Sequence, residues 1–407
     1  MPLLNRQVTF TLLLAPGCQE LDQGPRAAPP SAAPPPALCQ PGVMAFIGPV
    51  PFSDAQDALD AAVAGDVIDI CPGRWDLPQP LRRRHAPSLR IRGATADRAD
   101  VLLSSPSSNC IILDDVLGDV ELKDISFEGC SITLFSSEGT PARASVQQIS
   151  IELSSLYVGT FATMDVLGST FTDAIVALNP GGSSCSIGDS RFVRGFAHCH
   201  GQPRLSSSAL AASLTDTTFV DAPTTAFTVS ADHPGPLSIH IARAAFLDGV
   251  SLADWSTGSP TTSGAVHLGS SRRSRITHVD VTIEDSVFDG NRGDLASHLT
   301  LDVERQDADM DVLIARTAFW RGGWLPLEGP AEGIGFDRDP NLGAVLLPSY
   351  GYGNGALHLT FDDVDLGDGP TANHGPLIAG CANPVANPYA GDLLFHRSRT
   401  DPREFCP

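Results

Sequence analysis

Seven phenylalanines organise the hydrophobic pattern of the main body: Phe127, Phe171, Phe192, Phe219, Phe246, Phe288 and Phe319. Five residues before each stands an aliphatic residue: Leu122, Val166, Ile187, Leu214, Ile241, Ile283 and Ile314. Seven residues before each stands another apolar one: Val120, Met164, Cys185, Ala212, Ile239, Val281 and Val312. The two columns are two apart, so they lie on one face of a strand, and the residue between them is usually polar. Three before the Phe, Asp recurs at Asp124, Asp189, Asp216 and Asp285. Two before it, Ser or Thr recurs at Ser169, Ser190, Thr217, Ser286 and Thr317. Each copy predicts a strand with an inward apolar pair and a bend made by the Asp and Ser/Thr. The Phe then re-enters the core and stacks on its neighbour one winding away.

The Phe spacings are 44, 21, 27, 27, 42 and 31. Periods of this size indicate solenoids or arrays. The shorter ones suit one coil of three short strands; 42 and 44 suit two coils, or one with a long loop. An eighth, weaker copy is read at Leu357, Leu359 and Val364. No copy has helical periodicity, which argues against leucine-rich and other α/β solenoids. A β-propeller is the second candidate, but its copies are usually longer and it leaves the preceding stretch unexplained.

That stretch, Ser53 to Gly93, changes period. Ser53 is the expected N-cap, with Asp54 and Asp57 in a first turn where negative charge suits the helix dipole. Phe52, Leu59, Ala62 and Val63 form one apolar face of a short helix near 53–64, which Gly65 ends. Residues 67–71 then read as a strand, Pro72-Gly73 as a turn and residues 89–93 as a second strand. An open stack of β-coils would leave its first apolar end wet, and an amphipathic helix laid across that end covers it.

Ala58-Leu59-Asp60-Ala61-Ala62, Gly65-Asp66, Cys71-Pro72-Gly73-Arg74-Trp75 and Ile91-Arg92-Gly93 carry a resemblance. The stretch closely resembles the opening of right-handed parallel β-helix proteins, the pectin-lyase-like superfamily, with Trp75 in place of the usual Tyr. The resemblance implies an all-β solenoid with a cap helix, here over residues 43–407. Residues 370–407 lack the paired apolar columns and are expected to form its carboxyl-terminal cover. The resemblance implies little about chemistry, because a fold does not fix a function.

Composition narrows the partners. Aromatics are 6 %, while Gly (38) and Pro (33) are plentiful, as short strands and turns require. The net charge of −21 disfavours nucleic acid and anionic lipid surfaces. Residues 1–18 carry one charged side chain, Arg6, before an apolar run too short to span a bilayer. They resemble a secretory signal ending in a bacterial lipobox, Leu14-Ala15-Pro16-Gly17-Cys18, with Pro16 atypical. Lipidation of Cys18 is the expectation. Residues 19–42, rich in Pro and Ala, then form a semi-rigid tether holding the body off an outer membrane. A protein secreted without an anchor is the alternative.

Eight further cysteines, an even number, fit disulfides in an exported chain. Cys110 and Cys130 are 20 apart and could lie side by side on adjacent coils; Cys381 and Cys406 could pin the tail. No Cys-x-x-Cys pair suggests zinc.

Catalytic signals are weak. Hydrolases of this fold use Asp pairs, and the chain has Asp114-Asp115, His200-Gly201 and Arg275-Ile276-Thr277, but no Asn-Thr-Asp. These dipeptides are expected to be coincidental. His198-Cys199-His200 could bind a metal, but an exposed loop beside a disulfide Cys is the expected account. Asp302, Glu304, Asp307, Asp309 and Asp311 could hold Ca²⁺, yet lack the glycine-rich nonapeptide and read as a solvated strand edge. Arg82-Arg83-Arg84 and Arg272, Arg273 and Arg275 are basic clusters that could meet an acidic sugar, but surface charge is the expected account. Trp320 and Trp324 are candidate glycan contacts. No cofactor is expected.

Two functions remain. One is a non-catalytic surface β-helix of the envelope: a scaffold, adhesin or glycan-binding module. The other is a divergent lyase or glycoside hydrolase acting on acidic polysaccharide. An enzyme needs a groove where carboxylates and Arg, Lys or His from neighbouring coils converge within hydrogen-bond reach.

Overall fold

A computed structural model describes residues 37–137, 141–181, 184–201, 209–231, 235–251, 265–270, 276–293, 296–303, 309–323, 344–350, 357–373 and 393–396. Within the unit Pro35–Pro407 the chain visits three sheets in turn, of 14, 10 and 10 strands. Every pairing in them is parallel except at the start, where the hairpin Ala45–Ile47 and Val50–Phe52 joins Asp66–Ile70 antiparallel. This is a right-handed parallel β-helix, not a propeller.

The apolar columns stack as their spacing requires. In the first sheet Ile187 pairs with Leu214, Leu214 with Ile241, Ile241 with Ile283, and Ile283 with Ile314. Seven of the ten strands of the second sheet are three-residue strands centred on the phenylalanines. Their rings stack from Phe171 through Phe192, Phe219, Phe246 and Phe288 to Phe319, with centroids 4.4–5.3 Å apart. Phe127 is not in contact with Phe171, because a winding without Phe lies between them: Ile151 takes the ring position, with Ala144 and Val146 as its apolar pair. The spacing of 44 is therefore two coils. The spacing of 42 is one, since Phe246 pairs directly with Phe288.

Each short strand lies between two left-handed bends. All seven positions three before the Phe have positive φ: Asp124, Asp189, Asp216 and Asp285, and also Gly168, Arg243 and Arg316. Two residues after the Phe the chain turns left-handed again, at Gly129, Asp173, Arg194, Asp221, Asp248, Gly290 and Arg321. Asp tolerates this conformation better than most residues, which explains its recurrence. From Asp216 onward the first corner alternates in sign. Arg243 binds Asp216 through two hydrogen bonds of 2.7 Å, and Arg316 binds Asp285 at 2.7 and 2.8 Å. These bonds hold both carboxyls below the usual carboxylate range.

The Ser/Thr column points inward. Ser169, Ser190, Thr217, Ser286 and Thr317 are buried, and each hydroxyl donates to the carbonyl two residues earlier at 2.8–2.9 Å. Four also accept from a backbone N–H one winding away at 3.1–3.5 Å. Polar groups are thus buried without losing their hydrogen bonds.

The cap is shorter than expected. The helix α1 spans Ala55–Ala61, and Asp54, not Ser53, is its N-cap: its backbone is extended and its carboxylate accepts from the Gln56 N–H at 2.7 Å. Ala55, Ala58, Leu59 and Ala62 are buried. Val63 is 64 % exposed, because Ala62 has already left the helix and carries Val63 off its face. Gly65 has positive φ, three residues past that end. Arg83 donates to the Leu59 carbonyl and, at 2.8 Å, to that of Ala62, closing the helix end. Gly93 is required because a Cβ there would collide with the Asp124 backbone carbonyl.

The eighth copy is displaced by two from its sequence reading. Leu359 pairs with Val312 and Phe361 with Ile314, which puts Asp363 at the bend and Leu366, not Val364, at the ring position. A slip of two keeps every side chain on its own face, so the hydrophobic pattern alone does not detect it.

Disulfides join Cys39 to Cys71, Cys110 to Cys130 and Cys185 to Cys199. They fit an exported protein. Cys381, Cys406 and most of residues 370–407 lie outside the described residues, as do Cys18, residues 19–36, Trp324, Arg272, Arg273 and Arg275; within the stretch expected as the cover, Leu393–His396 is instead a further parallel strand of the first sheet. Among the described residues no helix is long and apolar enough to cross a membrane.

At the far end of the ring stack a buried imidazole holds three turns together. Asn291 donates to His298 Nδ1 at 3.1 Å, and His298 Nε2 donates to Asn373 Oδ1 at 3.3 Å. Asn291 also donates to the Phe246 carbonyl and Asn373 to those of Phe319 and Leu366. Burial pushes His298 down to about 4.

Two predictions follow from this packing. Phe219→Ala removes a ring stacked on both sides and should cost about 3–5 kcal/mol, measured by urea unfolding, against less than about 2 for Phe219→Leu. His298 gives a pH dependence. The unfolded chain takes up its proton near pH 6.5, the folded chain only near 4, so unfolding gains protons between these values. Stability should therefore fall by about 3 kcal/mol as pH drops from 6.5 to 4 and show no further loss from this group below. Unfolding midpoints across that range, compared with His298→Phe, check it: the variant should lack this component.

Candidate functional site

The outer face of the first sheet is where the polar residues between the apolar columns come into register. One outward row runs Arg90, Glu121, Ser145, Asp165, Ser186, Ser213, His240, Thr282. Strand spacing places successive members about 4.8 Å apart.

Near the amino-terminal end this face sinks into a groove of about 340 Å³ lined by Gly65, Ser88, Arg90, Asp119, Glu121, Arg143, Ser145 and Gln147. The strands Leu89–Gly93, Val120–Lys123 and Arg143–Gln147, from three consecutive windings, form its floor. Arg90 meets Glu121 at 3.3 Å, and Arg143 meets Asp165 at 2.7 Å. The Arg143 backbone N–H donates to Asp119 at 2.8 Å, and Ser186 donates to the second oxygen of Asp165. Beside the groove Arg92 binds Asp69 at 2.6 Å. The groove is thus polar, about neutral, and lined by side chains that donate and accept in fixed directions. Exposed ion pairs of this kind are worth little, so their guanidiniums can exchange a protein carboxylate for a ligand oxygen at small cost.

The residues singled out in the sequence lie elsewhere. Asp114 and Asp115 pair with Arg82 at 3.5 Å and Arg84 at 2.8 Å on the third sheet. One basic cluster is thereby consumed in binding an acidic dipeptide and closing α1. His200 is also on the third sheet, four strands from Asp114, about 19 Å away, whereas Ile276 and Thr277 are on the first. Among the described residues these segments form no common site. His198-Cys199-His200 is a strand, Phe196–Gly201, rather than a loop. Cys199 points inward into its disulfide, while His200 Nδ1 meets the Ser230 hydroxyl at 2.7 Å. Burial beside His200 lowers the pKa of His198. Trp320 ends the strand Ala318–Trp320 and is half-buried, remote in register from the groove. Of the acidic run, Asp309 and Asp311 are exposed on the first sheet, and Glu304 and Asp307 lie outside the described residues.

Sequence reasoning missed Arg90, Asp119, Glu121 and Arg143 because no motif joins them. The available signal was their position between or beside apolar columns already aligned.

No protein-family model matches the sequence, and no curated relative is found by sequence. Similar folds occur among solved structures. The catalytic unit of a thermostable GH87 alpha-1,3-glucanase from Streptomyces thermodiastaticus strain HF3-3 gives a TM-score of 0.40 at 13 % identity, over 79 % of this chain and 66 % of that one. A mannuronic acid specific polysaccharide family 6 lyase from human gut microbiota gives 0.38 at 11 %, over 75 % and 84 %. A GH87 alpha-1,3-glucanase catalytic domain in complex with tetrasaccharides gives 0.29 at 12 %, over 82 % and 64 %. The chain thus spans just under two thirds of the length of these two glucanases.

Proposed function

We propose that this is an exported carbohydrate-active β-helix that binds a polysaccharide chain in the first-sheet groove and cleaves it there. One observation carries the reading. Charged groups from neighbouring windings converge on one groove: the Arg90 guanidinium meets Glu121 at 3.3 Å, and Asp119 accepts from the Arg143 backbone N–H at 2.8 Å while the Arg143 guanidinium faces Asp165. That is the arrangement an acid–base cleavage of a sugar chain needs. An acidic sugar suits the two Arg residues, since guanidinium–carboxylate pairs give directional binding. The solved structures named above, an alpha-1,3-glucanase and a mannuronic acid specific lyase, are carbohydrate-active enzymes of this broad class. A binding module without catalysis is the second reading, favoured by the fact that Arg90 and Arg143 already face protein carboxylates.

A panel of polyuronates, α-glucans and β-glucans decides between them, with new reducing ends and the absorbance of unsaturated uronate as readouts. Cleavage of one member is expected, with Glu121→Gln and Arg143→Ala each reducing it about tenfold or more. Both variants should stay within about 1 kcal/mol of the parent stability. Retention on a glycan with no product would establish the second reading; neither binding nor product would overturn both. An anchor at Cys18 and a tether over residues 19–42 complete the proposal. Cys18→Ser should move the protein from the membrane fraction to the medium, and an unchanged distribution would remove the anchor.

A further inference from the structure

The opposite end of the same face has a different charge pattern. Asp69, Glu121, Asp165 and Glu284, outward on the first sheet, each face an Arg. Asp280 and Asp311 do not. They stand in register on adjacent strands, and among the described residues their ion partner is His278 alone. His278 Nε2 lies 3.0 Å from one Asp280 oxygen and 3.3 Å from one Asp311 oxygen, and the three ligand atoms all lie within 4.8 Å of one another. One ring N–H cannot point at both carboxylates, and one imidazole offsets at most one of their two charges.

We propose that His278, Asp280 and Asp311 bind a divalent d-block cation such as Zn²⁺. An imidazole nitrogen with two carboxylate oxygens is a donor set that such ions accept and that Ca²⁺, which prefers oxygens alone, does not favour. Ligands bound at about 2.0–2.1 Å with tetrahedral angles stand about 3.3 Å apart, close to the two separations from His278. The ion supplies the positive charge that an Arg supplies at the other carboxylates of this face. Three protein ligands leave a position open, and the cluster borders a depression of about 190 Å³ that Thr282, Leu313, His358 and Thr360 also line. His358 stands in register beside Asp311 on the next strand. The strand bearing His278 is five strands from the one bearing Arg143, about 24 Å, so this site is separate from the groove and does not depend on its proposed activity.

The test uses the full chain, freed of metal with a chelator and titrated with Zn²⁺, Co²⁺ and Ca²⁺. One equivalent of Zn²⁺ or Co²⁺ should bind more tightly than Ca²⁺, and bound Co²⁺ should show the visible absorption of a four- or five-coordinate nitrogen–oxygen site. His278→Gln and Asp311→Asn should each weaken binding about tenfold or more, while Glu121→Gln, in the groove, should leave it unchanged. Circular dichroism confirms that the variants are folded, and Asp280→Asn provides an independent ligand removal should either fail. Absence of stoichiometric binding, binding unaffected by folded ligand variants, or a preference for Ca²⁺ would each overturn the proposal. None of these readouts involves glycan cleavage, so the two proposals stand or fall separately.

Discussion

In-register parallel pairing is the constraint on which this molecule depends. Each residue of a sheet lies beside its equivalent one winding away, about 4.8 Å distant, so a column must hold residues able to tolerate their own repetition. Inward columns meet this with aliphatic pairs and stacked rings. The buried hydroxyl column meets it by donating down its own strand end and accepting from the neighbouring winding, so repetition creates a ladder instead of a set of orphans. The left-handed corner faces a harder problem. Asp suits the backbone there, yet a file of carboxylates at strand spacing would repel. The sequence Asp216, Arg243, Asp285, Arg316, Asp363 alternates charge at the cost of placing Arg in a conformation it rarely adopts.

The same constraint decides what could be read from the chain. Columns that face the core repeat one chemical type, so Ile187, Leu214, Ile241 and Ile283 were legible at once. The winding around Ile151 was not, because aligning on phenylalanine cannot find a coil that substitutes an aliphatic for the ring. The bend two residues after the Phe was equally available, as a run of Gly, Asp and Arg. Its residues share a backbone conformation but not a side-chain type. At the cap, Ser53 and Asp54 are both good N-caps, and only the backbone geometry separates them.

The polar face was less legible for a physical reason. Outward positions need not repeat, so their chemistry is written across windings and not along the chain. Arg90 meets Glu121, and Arg143 meets Asp119 and Asp165, through strand register alone. Local motifs misled in the opposite sense. Arg82-Arg83-Arg84 and Asp114-Asp115 look like separate functional signals, but they lie on adjacent strands and bind each other, with Arg83 left to close α1. In a solenoid, two charged clusters about one winding apart are better suspected of pairing than of catalysis.

Charge along the outer face then separates its two ends. At the amino-terminal end guanidiniums and carboxylates are matched, and a neutral groove of hydrogen-bonding groups is a surface to which a hydrated polymer can be transferred without first stripping an ion atmosphere. At the carboxyl-terminal end Asp280 and Asp311 are left with a single imidazole, and in a chain of net charge −21 no long-range positive field offsets them. The charge pattern therefore distinguishes two ends of one face that share no residue: at the first Glu121 and Asp165 each have a guanidinium, and at the second a bound cation would bring two carboxylates and one imidazole to the same balance.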